Sequence, residues 1–150
     1  MLEDLFLNGS CYERILEYLS ERRRACPTLR TIPAGKSSCG RKLPVVALGS
    51  MKHPVLMAGG FSADDRISVL LLLRFLFDIT DAQDTNGVIR AGNLPKFFNR
   101  GGLILLPMAN PDGFEIACQG IESAGYLKKL AQTARERSGE VWRSSATGVD

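Results

Sequence analysis

One stretch limits the fold more than any other. From Ile67 to Ile79 the chain is apolar on most sides of a helix, with Arg74 as an interruption. A helix of that kind has to be covered on more than one side, as when it is sandwiched in an α/β protein. A short apolar strand, Pro54 to Ala58, and the pair Gly59-Gly60 come before it. At thirteen residues the run is too short to span a bilayer, which takes roughly 20 residues of helix. A buried helix from about Ala63 to Ile79 is expected, and no membrane partner.

The rest of the chain alternates in the same way. Tyr12, Ile15, Leu16 and Leu19 recur at helical spacing. The capping box Ser10-Cys11-Tyr12-Glu13 opens that helix, and Pro27 follows its expected end. Thr28 to Pro33 reads as a short strand. Leu43 to Leu48 is β-rich, with Pro44 marking an edge or a strand start. Leu103 to Met108 is continuously apolar after Gly101-Gly102, the pattern of a strand buried on both faces. Asn110-Pro111-Asp112-Gly113 has the composition of a tight turn. Ser123 to Arg137 reads as an exposed helix with Leu127, Leu130 and Ala131 turned inward. The alternation predicts an α/β fold, with a mixed, mostly parallel sheet and helices on both faces. No linker or repeat divides the chain, and 150 residues can bury a real core as one domain, 1–150.

Charge and cysteine usage narrow the partners. The net charge is +3, and the basic residues are scattered apart from Arg22-Arg23-Arg24. That run closes the first helix, where cations suit the dipole, so no nucleic-acid partner is expected. The four cysteines, Cys11, Cys26, Cys39 and Cys118, show no Cys-x-x-Cys spacing. A zinc knuckle or redox motif is therefore not indicated. A domain of this size does not need disulfide staples, so reduced thiols and a cytoplasmic location are the expectation. Met1-Leu2-Glu3-Asp4 is acidic and leads into no long apolar run, so no signal peptide is read there.

Four landmarks then fall in order. Gly35-Lys36-Ser37-Ser38-Cys39-Gly40-Arg41 resembles the Gly-x-Ser-x-x-Gly-Arg turn of zinc carboxypeptidases. Gly59-Gly60-Phe61-Ser62-Ala63-Asp64-Asp65 resembles their Gly-Gly-x-His-x-x-Glu loop. Asn110-Pro111-Asp112-Gly113 matches their Asn-Pro-Asp-Gly turn after a buried strand. Trp142-Arg143-Ser144-Ser145, followed by Gly148-Val149-Asp150, resembles their Trp-Arg-x-Asn segment leading into Gly-Val-Asp. The resemblance runs from about Tyr12 onward. It implies that residues 1–150 are the N-terminal portion of a zinc-carboxypeptidase-like catalytic domain. In the family, a His, a Glu and a later His hold Zn²⁺ and leave a place for water. The metal polarises the peptide carbonyl, a Glu acts as general base, and an Arg stabilises the oxyanion.

Carried over residue by residue, the resemblance implies an altered site. Ser62 stands where the His ligand belongs, and a neutral hydroxyl is a poor zinc donor beside imidazole, carboxylate or thiolate. Asp65 stands where the Glu ligand belongs, as the one metal candidate. It is one methylene shorter, about 1.5 Å less reach, while metal distances tolerate only about ±0.2 Å. Asp64 stands where some members carry a substrate-binding Arg, which inverts the local charge. Arg143 matches the oxyanion Arg and is the catalytic candidate, beside the alternative of a solvated arginine. His53, the single histidine, precedes Pro54 at a strand start with no carboxylate three residues on, and reads as an ordinary strand-end residue. Ser62-x-x-Asp65 is also a good helix start, with Ser as N-cap and an acid at the third position. Asn110 to Gly113 reads as scaffold, Arg41 as a partner for a nearby carboxylate, and Trp142 as packing.

Two functions follow from the resemblance. One is a zinc metallocarboxypeptidase that removes C-terminal residues from peptides, here with an inactive site. The other is a non-catalytic relative that keeps the fold as a binding or interaction module. Zinc is the family's cofactor but is not expected on this chain. Peptides are the partner class, and an uncovered sheet edge would add self-association. A nucleotide or phosphate site at the helix start ranks below these. Asp64 and Asp65 would repel an anion there, and neither Gly-x-Gly-x-x-Gly nor a Walker lysine is present.

Overall fold

The computed structural model describes residues 11–84, 98–138 and 142–149. Helix α1 spans Cys11–Ala25, with Glu13 in its first turn and the three arginines in its last, the arrangement that suits the helix dipole. Its buried face is Tyr12, Ile15, Tyr18 and Leu19, while Leu16 is only partly covered. The Tyr12 N–H donates to Glu115 Oε1 at 2.8 Å, which satisfies one of the helix's open donors. Ser10 of the capping box lies outside the described residues.

Four strands follow: β1 (Arg30–Ile32), β2 (Val45–Gly49), β3 (Pro54–Ala58) and β4 (Gly102–Leu106), in the spatial order β1-β2-β4-β3. β2 starts directly after Pro44, as its composition indicates. The sheet is mixed and the class is α/β, as expected. The parallel share is smaller than the alternation implied: β1–β2 and β2–β4 pair antiparallel, and β3–β4 pair parallel. The reason is connectivity. Parallel neighbours need a crossover of a dozen residues or more, and among these strands a described helix intervenes between β3 and β4.

That crossover is α2, Arg66–Asp84. It begins three residues later than the sequence reading and runs on past Ile79. Val69, Leu72, Leu73, Leu76 and Ile79 are buried against α1 and against Val46, Leu48, Leu103 and Leu105 of the sheet. The registers Val46↔Leu105 and Leu48↔Leu103 put those four strand residues on one face. Two polar contacts tie the helices together. The Tyr18 hydroxyl donates to the Leu73 carbonyl at 3.2 Å, and burial pushes its pKa up to about 12. Arg22 lies 4.6 Å over the Phe77 ring and donates to Thr80 Oγ1 at 2.9 Å. A second cluster gathers Ala63, Ile116, Ala124, Ala131 and Ala146 around Trp142. Trp142 is thus a packing residue, as read.

Three expectations are corrected. Asn110 to Gly113 is not a free-standing turn. Asn110 caps α3 (Pro111–Gln119), with Pro111 in its first turn and the Gly113 N–H donating to Asn110 Oδ1 at 2.9 Å. Asn followed by Pro suits a helix start as well as a turn. The helix expected over 123–137 is divided into a 3₁₀ segment, Ile121–Leu127, kinked internally at Gly125, whose φ is +56°, and α4, Lys128–Ser138. Cys26 and Cys39 are free thiols, but Cys118 is disulfide-bonded, so the cysteines are not all reduced. A bond closed across the tertiary fold leaves no trace in local spacing. Among the described residues no helix is long and apolar enough to cross a membrane.

Candidate functional site

The site is assembled where the β3–α2 turn meets the segment after Trp142. The Ala63 N–H donates to the Arg143 carbonyl at 2.9 Å. Asn110 closes the same junction from a third side. Its Nδ2 donates to the carbonyls of Phe61 at 3.0 Å and Ser144 at 3.3 Å, while its Oδ1 serves α3. One amide thus fixes the distances between three chain segments.

Gly59 and Gly60 let the turn sit this close. Gly60 has φ +65°, and a Cβ there would stand 2.8 Å from Val69 Cγ2 and 3.1 Å from Met108 Cα. A Cβ on Gly59 would meet Leu72 and Ser68 at 2.8 Å. The turn hydrogen-bonds to the end of the β4 segment through Ala109 N–H to Gly59 O and Asn110 N–H to Gly60 O, both at 2.9 Å.

Asp65 is the N-cap of α2, a role the sequence reading gave to Ser62. Its Oδ1 accepts from the Ser68 N–H at 3.1 Å and its Oδ2 accepts from Ser68 Oγ at 2.5 Å. Ser68 Oγ in turn accepts from the Gly60 N–H at 2.8 Å. Both carboxylate oxygens therefore point into the first turn of the helix. Ser68 was missed in the sequence. Its signal was present, since Asp65-x-x-Ser68 repeats the capping spacing of Ser62-x-x-Asp65 one turn on.

Ser62 and Arg143 converge on Asp64. Ser62 Oγ donates to Asp64 Oδ1 at 2.5 Å, and Arg143 Nε donates to Asp64 Oδ2 at 3.0 Å. The hydrogen bond from Ser62 leads in holding the Asp64 carboxyl below its ordinary value, with Arg143 adding to it. The acid at position 64 is thus matched to the arginine that the sequence analysis singled out. The pair is open to water, at 38% exposure for Asp64 and 68% for Arg143.

A second polar centre braces the site from behind. Asp112, nearly fully buried, accepts from Ser37 Oγ at 2.7 Å, the Cys39 N–H at 2.8 Å and Arg41 Nη1 at 2.8 Å. Arg41 Nη2 also donates to the Ser123 carbonyl at 2.8 Å. Burial opposes the Asp112 charge, but the donors from Ser37, Cys39 and Arg41 outweigh it and hold its pKa below the usual value. The small-residue turn Gly35 to Arg41 is therefore a clamp on the first turn of α3. Arg41 has the carboxylate partner expected of it.

The side chains at positions 62 and 65, where the resemblance would put ligands, are a poor donor set for zinc. One is a hydroxyl, outside the metal's usual donor set, and the other is a carboxylate committed to a helix cap. His53 is exposed beside the start of β3. Among the described residues no group of three or more His, Cys, Asp or Glu is placed to hold a metal.

Comparisons with known proteins bear on the family and the fold. The family model for zinc carboxypeptidases matches residues 15–150. A gamma-D-glutamyl-L-diamino acid endopeptidase 1 of Lysinibacillus sphaericus is 25% identical over 141 residues, covering 93% of this chain and 36% of the relative. An uncharacterized protein of Bacillus subtilis (strain 168), YqgT, is 26% identical over 121 residues, covering 77% of this chain and 32% of the relative. Bovine thrombin-activatable fibrinolysis inhibitor, solved in complex with tick carboxypeptidase inhibitor, superposes with a TM-score of 0.62 at 16% identity, over 89% of this chain and 36% of that one. A second structure of thrombin-activatable fibrinolysis inhibitor gives 0.59 at 16% identity, over 92% of this chain and 31% of that one. The chain spans about a third of the length of the relatives it matches.

Proposed function

The chain belongs to the zinc carboxypeptidase family, and from that premise we propose that it keeps the family's scaffold without zinc-dependent peptide hydrolysis. The observation that carries this is the internal use of every candidate group. Asp65 spends both oxygens on Ser68, and Asp64 engages Ser62 and Arg143. A zinc hydrolase needs free donors and an arginine open to a developing oxyanion. Here the carboxylate that would bind metal caps a helix, and the arginine that would meet the oxyanion meets Asp64. The role left to such a scaffold is that of a binding or interaction module for peptides.

Two observations favour a hydrolase instead: the sequence resemblance matches Arg143 to the family's oxyanion arginine, and a relative carries an endopeptidase name. The γ-D-glutamyl-L-diamino acid peptides of that name are then the first substrates to try, beside a blocked dipeptide with a free C-terminal carboxylate. The experiment is hydrolysis of both by the purified chain with added zinc. We expect product formation no faster than the buffer blank. Chelator-sensitive turnover of either peptide would establish the hydrolase and overturn the non-catalytic proposal.

A further inference from the structure

A groove of about 590 Å³ opens between α1 and the chain arms that join β1 to β2. Its lining shares no residue with the Ser62–Arg143 site. The floor is apolar, with Leu16 of α1, Ile32 at the end of β1 and Leu43 partly exposed above the buried Leu19 and Val46. The cations Arg23, Lys36 and Lys42 also line it, and among the described residues no acidic one does. Among the described residues these cations form no ion pair. Arg23 instead donates to Thr31 Oγ1 at 3.1 Å. Lys36 and Lys42 are antiparallel bridge partners, so their side chains leave the same face of the hairpin. Like charges directly opposite one another are unfavourable. An anion between them would turn that cost into charge-assisted hydrogen bonds.

An apolar floor beside uncompensated cations selects a ligand with both characters. Inorganic phosphate would leave the floor uncovered, and a neutral hydrocarbon would leave the lysines opposed. The volume lies within the range of roughly 300–1,000 Å³ typical of small-molecule clefts. We propose that this groove binds an alkyl carboxylate, its chain along Leu16, Ile32 and Leu43 and its head group between Lys36 and Lys42.

Decanoate is the probe, titrated into the full chain by calorimetry and followed by backbone amide shifts. Saturable one-to-one binding is expected, with shifts centred on α1 and residues 31–46. Decanol should bind about tenfold more weakly or worse. Lys36→Glu with Lys42→Glu should lose a similar factor, and Lys36→Met with Lys42→Met should lose affinity for decanoate while keeping that for decanol. Both pairs are exposed, so an unchanged amide spectrum confirms that the variants fold. The proposal is overturned if decanoate does not saturate, if decanol binds equally well, if the glutamate pair changes nothing, or if the shifts fall on α2 instead. Binding of an acidic, apolar peptide here without decanoate binding would also overturn it.

Discussion

Asp64 Oδ2 lies 3.0 Å from Arg143 Nε, a contact made across 79 residues of sequence. The acid takes the guanidinium's Nε–H, one of the donors available to an anion. Ser62 holds the other oxygen of the same acid. Ser62 and Asp64 together thereby form a clasp on the arginine.

Asp64→Ala should release Arg143. Acetate titrated into the variant should shift the Arg143 side-chain Nε–H resonance, and should leave it unmoved in the parent chain. The pair is exposed, so stability should change by no more than about 1 kcal/mol. Equal shifts in both proteins would show that Asp64 does not block the guanidinium.

Asp65→Ala should cost about 0.5–2 kcal/mol in urea unfolding, the range for loss of an N-cap. Asp65→Ser should restore most of it, because a hydroxyl can still accept from the Ser68 N–H. Ser62→Ala should cost less than Asp65→Ala. The reverse order would return the cap to Ser62, where the sequence alone had put it.

Asp112→Ala should be the most damaging of these substitutions, at about 3–5 kcal/mol, since it leaves the Arg41 charge without its buried partner. The acid dependence follows from the sign of the shift. The folded pKa of Asp112 lies below the ordinary 3.8, so its contribution is complete above that value. It is lost as the pH falls from about 4 through the folded pKa. Unfolding free energies of the parent chain should therefore drop below pH 4 more steeply than those of Asp112→Asn. Parallel curves would count against the clamp.

Exposed apolar residues mark the outer side of the molecule. Leu56 on β3 is 65% exposed, and Ile67 and Leu71 on α2 are 72% and 64% exposed. β3 is the last strand in the sheet order. Among the described residues its outer edge is unpaired, and an unpaired edge with apolar neighbours invites association. Sizing by light scattering should show concentration-dependent oligomers that Leu56→Lys with Leu71→Lys reduces. A monodisperse parent chain at high concentration would contradict this.

The fold was legible where burial imposes a strong pattern. The unbroken apolar run Leu103 to Met108 and the nearly all-apolar helix around Leu72 left little choice of environment. Strand direction was less legible, because a period of two marks the faces of a strand and not the direction of its neighbour. At Asn110-Pro111 the same residues suit a turn and a helix start, and only the chain beyond decides between them. The site was half legible. Ser62, Asp64, Asp65 and Arg143 are indeed gathered together, but their pairings are tertiary. Asp64 meets Arg143, and Asp65 turns to Ser68, for reasons of geometry that spacing along the chain does not carry. Asp112 was hidden in the same way, its donors coming from a turn about 70 residues earlier.

The most direct test of the account is a zinc titration of metal-free chain at neutral pH, read by calorimetry against a competing chelator. The donors at positions 62 and 65 are already engaged, so we expect no stoichiometric binding and no change in the Ser68 amide resonance. One equivalent of tightly held, chelator-removable zinc that shifts Ser68 would show that Asp65 leaves its helix for the metal, and would contradict the account.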